Sequence, residues 1–152
     1  MRFVLVFVLV VLVAMISAPQ ALAGNPDRFL DAQEINALAA KAEQATPRDR
    51  CYLYAKLVSA MAWKASQELN AGDDTAAAAT LKTIRQYTAK IHADITERSK
   101  KLKDAQITMD KTAFRLKELM KSSSLDDQQA FAATLKQLNQ VQSQMMLTVF
   151  QK

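Results

Sequence analysis

The feature that most constrains this chain is a long segment, Asp73 to Lys121, that contains neither glycine nor proline. Within it, apolar residues return at alternating steps of three and four, which is the spacing of one face of an α-helix. The twelve positions on this face are Leu81, Ile84, Thr88, Ile91, Ile95, Arg98, Leu102, Ala105, Met109, Thr112, Leu116 and Leu119, and all except Thr88, Arg98 and Thr112 are apolar. The pattern predicts one long central helix over about residues 73–121. The polar stretch 96–104 is the place where it would break if the molecule were instead a compact bundle.

Proline, glycine and serine mark the ends of the other predicted helices. Pro26 and Pro47 suit the first helical position, Gly72 suits the residue after a helix, and Ser124 suits an N-cap. We therefore expect breaks near residues 46, 72 and 123 and no strand. On the first helix, over about 26–45, the residues expected to face inward are Phe29, Ile35, Leu38 and Ala42. The predicted fold class is all-α, an antiparallel bundle or coiled-coil hairpins of about four helices.

The N-terminus has the pattern of a secretory signal peptide. Arg2 precedes an apolar run from Phe3 to Ile16, and Ala21-Leu22-Ala23 offers small residues for a signal peptidase. We expect cleavage after Ala23, an exported protein in the periplasm or outside the cell, and a single helical domain over 24–152. An uncleaved membrane anchor is the alternative. Removing Arg2 lowers the formal net charge from +5 to +4.

Cations are concentrated in the second half of the long predicted helix, where they outnumber the three acids. They are Arg98, Lys100, Lys101, Lys103, Lys111, Arg115, Lys117 and Lys121. Such a run can attract an acidic protein or an anionic envelope surface, and a solvated helix face is the simpler interpretation. Phe114 is the only aromatic residue between Arg98 and Lys121, so few side chains there could stack on bases. This shortage and the expected export both argue against a nucleic acid partner. Arg98 lies on the apolar face and therefore marks a junction between helical partners.

Cys51 and His92 are the only cysteine and histidine of the chain. A hairpin about Gly72 places Cys51 opposite residue 93 and so beside His92, where the two could form an activated thiol or half of a metal site. The simpler interpretation is a buried apolar Cys51 with a partly solvated His92. One cysteine permits no intrachain disulfide, but a bridge between two copies, and hence a homodimer, stays open. No phosphate-binding loop, zinc-protease motif, nucleophile elbow or haem motif occurs, and we expect no cofactor.

Two short resemblances to known families are present. The block Arg48 to Ala55, with Ala71 to Asp74 and Leu81-Lys82, resembles small exported helical proteins of acidobacterial genomes, which have no assigned activity. Leu147-Thr148-Val149-Phe150-Gln151 resembles the Leu-Thr-x-x-Gln motif of the Spy and CpxP family of periplasmic chaperones, which carries it twice and inside the domain. The second resemblance implies a basic, all-helical chaperone.

These observations favour an exported, non-enzymatic helical protein that binds another macromolecule at the cell envelope, with a chaperone-like or adaptor-like role. The expected surface is the basic second half of the long helix together with the last helix. The alternative is a thiol- or metal-dependent protein that uses Cys51 and His92.

Overall fold

The computed structural model describes residues 29–96 and 98–151, which form five α-helices and contain no strand. The helices are α1 (Ala32–Gln44), α2 (Pro47–Asn70), α3 (Asp74–Asp94), α4 (Leu102–Ser122) and α5 (Leu125–Phe150). The predicted all-α bundle is confirmed. The expected signal peptide over residues 1–23 and the expected helix start at Pro26 lie outside the described residues. No described helix is both long and apolar enough to cross a bilayer.

The breaks expected near residues 46, 72 and 123 are confirmed, and local chemistry explains two of them. Gly72 follows α2 with φ +75°, a left-handed conformation that glycine adopts without strain. The Asp73 carboxylate then accepts the Ala76 N–H at 2.9 Å and caps α3. Ser124 caps α5 by accepting the Asp127 N–H at 3.2 Å.

The first helix begins later than its sequence predicts. Residues 29–31 are not helical, and α1 starts at Ala32. Asp31 accepts the Glu34 N–H at 2.8 Å, and the Glu34 carboxylate accepts the Asp31 N–H at 3.0 Å. This reciprocal capping box satisfies two backbone donors and thereby defines the N-terminus of α1. Phe29 lies before the helix and is 42% exposed, so its predicted inward position is wrong.

The prediction of one continuous helix over 73–121 is also wrong, because α3 ends at Asp94 and α4 begins at Leu102. The described residues between these helices, 95–96 and 98–101, are called the link. Ser99, which is buried, donates its hydroxyl to the Asp94 carbonyl at 3.3 Å and accepts the Thr96 N–H at 3.1 Å. The Lys100 N–H donates to the carbonyl of Arg48 at 2.8 Å. These bonds replace part of the helical hydrogen bonding lost at the break. The break overlaps the polar stretch 96–104, the alternative that the sequence had indicated.

The link returns the chain to the start of α2, so that two hairpins lie side by side. In the α2–α3 hairpin, Arg50 pairs with Asp94 at 3.6 Å near one end, and Lys64 donates to Thr80 at 3.3 Å near the other. The α4–α5 hairpin packs on it, with α4 against α2 and α5 against α3. Among the described helices α3 and α4 do not pack on each other, so the link joins diagonal corners of a four-helix bundle. α1 packs on α2 at one side.

One apolar core runs through the four long helices. It includes large side chains that are essentially inaccessible to solvent, and these come from all four. They are Tyr54, Leu57, Leu81, Ile84, Ile91, Met109, Leu116, Phe131, Leu138 and Met145. If the central helix were continuous, the apolar stripe of its second half would extend past the N-terminal end of α2 and could not pack against that helix. The break lets both hairpins bury their stripes against each other, which the hydrophobic effect favours.

Candidate functional site

The break divides the predicted basic run between two parts of the molecule. Arg98, Lys100 and Lys101 lie on the link, where all three are exposed. Arg98 thus lies outside the apolar core, at the junction that a charged residue on the apolar face had indicated. The remaining cations lie along α4 and are Lys103, Lys111, Arg115, Lys117 and Lys121. Lys101 of the link and Lys103 of α4 line one groove where the two parts join.

Lys100 joins the link to the start of α2. Its Nζ lies 3.1 Å from Asp49 Oδ1, in addition to the backbone bond to Arg48. The hydrogen bond from Lys100, followed by one from the Thr46 hydroxyl, lowers the pKa of the Asp49 carboxyl. The ammonium group of Lys100 thus has an acidic partner within the protein.

Lys101 has a backbone that is unusual for its residue type. It takes φ +53° and ψ +31°, the left-handed region that disfavours residues with a Cβ, and it immediately precedes α4. Its Nζ lies 4.9 Å from the centre of the Tyr52 ring, and Lys56 Nζ lies 5.8 Å from the same ring. Burial, followed by the charges of Lys41 and Lys101, lowers the pKa of Lys56. Lys56 and Lys101 therefore lie near Tyr52, and the charge of Lys41 acts on Lys56.

Arg115 packs α4 against α2 rather than projecting into solvent. Its guanidinium carbon lies 3.9 Å from the centre of the Trp63 ring, a stacked cation–π contact. Lys121 pairs with Glu118 at 2.7 Å. Lys103, Lys111 and Lys117 are exposed along the outer side of the helix.

Exposed apolar side chains accompany these lysines. Of the large apolar residues that are exposed in the described part of the chain, all except Phe29 lie on the α4–α5 hairpin: Ile107, Phe114, Leu125, Met146, Leu147 and Phe150. Phe114 is 68% exposed and Phe150 is 79% exposed. These six side chains, with Lys103, Lys111 and Lys117, are called the hairpin surface below.

Phe114 lies on an exposed face of α4 that carries both signs of charge, because Asp110 and Glu118 line the same groove as Phe114 and Lys111. Ile107 lies seven residues before Phe114 and so shares its face, while Lys111 and Lys117 lie three residues to either side. Sequence reasoning had treated Phe114 only as an isolated aromatic residue. The signal was available, because Ile107 and Phe114 both fall outside the apolar positions of the predicted helix.

Cys51 and His92 lie in different environments in the structure. Cys51 is fully buried, and its pKa is raised to about 12, first by burial and then by the charge of Asp94. His92 is exposed on α3. No group of three or more His, Cys, Asp or Glu side chains within the described residues could hold a metal ion. Because Cys51 is inaccessible, a disulfide between two copies would require α2 to move.

Comparison with known proteins finds no matching family model, no similar curated protein and no similar solved structure. The two resemblances noted above therefore rest on their short motifs alone.

Proposed function

We propose that the protein is exported and binds another protein at the cell envelope through the hairpin surface, without catalysing a reaction. The observation that supports this proposal is that six exposed large apolar side chains lie on α4 and α5, and that two of them, Ile107 and Phe114, share one face of α4 with Lys111. Exposed apolar groups that lie together on a protein surface commonly mark a binding site. A chaperone-like or adaptor-like role fits this chemistry, since apolar groups hold a partner and lysines favour an acidic one.

Export is the second part of the proposal, and it rests on the sequence of residues 1–23. Intact-mass spectrometry of the protein recovered from the envelope fraction tests it. A measured mass equal to that of a chain starting at Gly24 supports cleavage after Ala23. A mass that retains residues 1–23 would instead support the uncleaved anchor.

Phe114 and Phe29 provide a matched test of the binding surface. Both are exposed phenylalanines, but Phe29 lies outside the hairpin surface. We expect the purified protein to suppress aggregation of an acidic protein unfolded by reduction, such as α-lactalbumin. Phe114→Ser should weaken binding roughly tenfold, the size expected for losing the burial of one aromatic side chain, and Phe29→Ser should not.

The role of charge is tested in the same assay. Lys117→Glu reverses a charge beside Phe114, whereas Lys82→Glu makes the same change on the exposed side of α3. We expect only Lys117→Glu to weaken binding to the acidic protein. Equal effects of the two reversals would contradict a role for this surface. The proposal would also fail if Phe114→Ser only converted a homodimer to a monomer, because the surface would then serve self-association.

A further inference from the structure

A second group of cations comes from α1, α2 and the link. Lys41 comes from α1, Lys56 from α2 and Lys101 from the link. The ammonium groups of Lys56 and Lys101 lie 5.8 Å and 4.9 Å from the centre of the Tyr52 ring. Lys41 is close enough for its charge to act on Lys56. We call these four residues the Tyr52 site.

The lysines of this site have no acidic partner among the described residues. The ion pairs of the protein involve other lysines, and the charges that act on Lys56 are those of Lys41 and Lys101. The neighbouring Lys100 shows the contrast, because it pairs with Asp49. Contact with the Tyr52 ring attracts a cation only weakly. Among the described residues no ion pair involves Lys41, Lys56 or Lys101, although Asp104 lines the same groove as Lys101.

The backbone of Lys101 adds to this arrangement. A left-handed residue before a helix is usually glycine, since any other side chain raises the energy of that conformation. Here the position is occupied by lysine at φ +53°, and its side chain extends over Tyr52. Strained backbone is found where the structure holds a side chain in place, and it is often associated with a binding role.

We propose that the Tyr52 site binds a phosphate group. A phosphate dianion has several peripheral oxygens and can accept from three separate ammonium groups, each of which acts as a point charge. A carboxylate is better matched by the planar fork of an arginine, and no arginine belongs to this site. The group could belong to a soluble phosphate compound or to the headgroup of an anionic lipid. Both sources present the same chemistry to the lysines.

Calorimetric titration of the purified protein with inorganic phosphate, and sedimentation with vesicles of phosphatidic acid in phosphatidylcholine, test the two sources. Lys101→Gly removes the ammonium group and suits the left-handed backbone, so it should preserve the fold. Lys56→Gln is a second variant that keeps most of the side-chain stem. Each should weaken binding about tenfold, because each removes one charged hydrogen-bond donor to the phosphate. Lys82→Gln, on α3, is the control and should bind normally.

Binding of inorganic phosphate that both variants weaken supports a soluble ligand, and binding confined to the vesicles that both variants weaken supports a lipid headgroup. Circular dichroism verifies that each variant is folded. The proposal is overturned if neither probe binds, if Lys82→Gln weakens binding as much as Lys101→Gly, or if acetate competes as strongly as phosphate.

Discussion

Substituting Lys101 by glycine and by alanine should separate backbone strain from the effects of the side chain. Both substitutions remove the ammonium group and its contact with Tyr52, so those losses cancel when the two variants are compared. They differ in the Cβ atom. At φ +53°, a residue with a Cβ costs about 1–2 kcal/mol relative to a relaxed backbone.

Glycine avoids that cost but has greater freedom in the unfolded chain, which offsets about 0.5–1 kcal/mol of the advantage. Lys101→Gly should therefore be more stable than Lys101→Ala by about 0.5–1 kcal/mol. For a domain of this size the difference corresponds to roughly 2–4 °C in Tm. Urea unfolding followed by far-ultraviolet circular dichroism would measure the free energies of unfolding of the two variants.

A control at Lys117 should give the opposite order. Lys117 is exposed within α4, where the backbone is helical, so alanine should exceed glycine in stability by about 1 kcal/mol. If Lys101→Ala proved as stable as Lys101→Gly, while the Lys117 pair behaved as expected, the left-handed conformation of residue 101 would be refuted. The reversal of order between the two positions is thus the decisive result.

Two further predictions follow from titratable groups. Burial and the charge of Asp94 raise the pKa of Cys51 to about 12, so its alkylation by iodoacetamide at neutral pH should be slow until the protein is denatured. His92→Ala should not change the alkylation rate. Rapid alkylation of the folded protein that depends on His92 would contradict this prediction. A hydrogen bond from Lys90 lowers the pKa of Glu43, so the pair should stabilise the fold above the unfolded pKa of Glu43 and lose that effect as the pH falls through the lowered value. Glu43→Gln should therefore flatten the acid side of the stability curve measured by urea unfolding at a series of pH values, and an unchanged curve would argue against the pair.

The prediction of helices succeeded where the controlling interactions are local. Gly72 and Ser124 act on their own or the next few backbone groups, so their positions in the sequence were enough to place two breaks. The α2–α3 hairpin was also predictable, because a short turn at Gly72 leaves only an antiparallel arrangement, and the Arg50–Asp94 pair lies where that arrangement requires. The late start of α1 follows from the Asp31–Glu34 capping box, a local signal that the sequence itself contains.

The candidate surfaces were harder to predict from the sequence. The basic run was identified, but its lysines were expected along one straight helix and instead lie on two parts of the molecule. The exposed position of Phe114 could have been derived from helical spacing. The Tyr52 site could not, because Lys41 and Lys56 are distant from Lys101 along the chain and meet only through packing.

The sequence by itself determined that the chain is helical, where most helices end, and which stripe of each helix is apolar, since these depend on residues a few positions apart. Only the tertiary structure decided that the central segment breaks between Asp94 and Leu102. That segment contains no glycine or proline, and Lys101 takes the left-handed conformation there. The physical reason is collective: breaking the helix lets two hairpins share one core, and the burial gained by all four long helices outweighs the local strain at one residue.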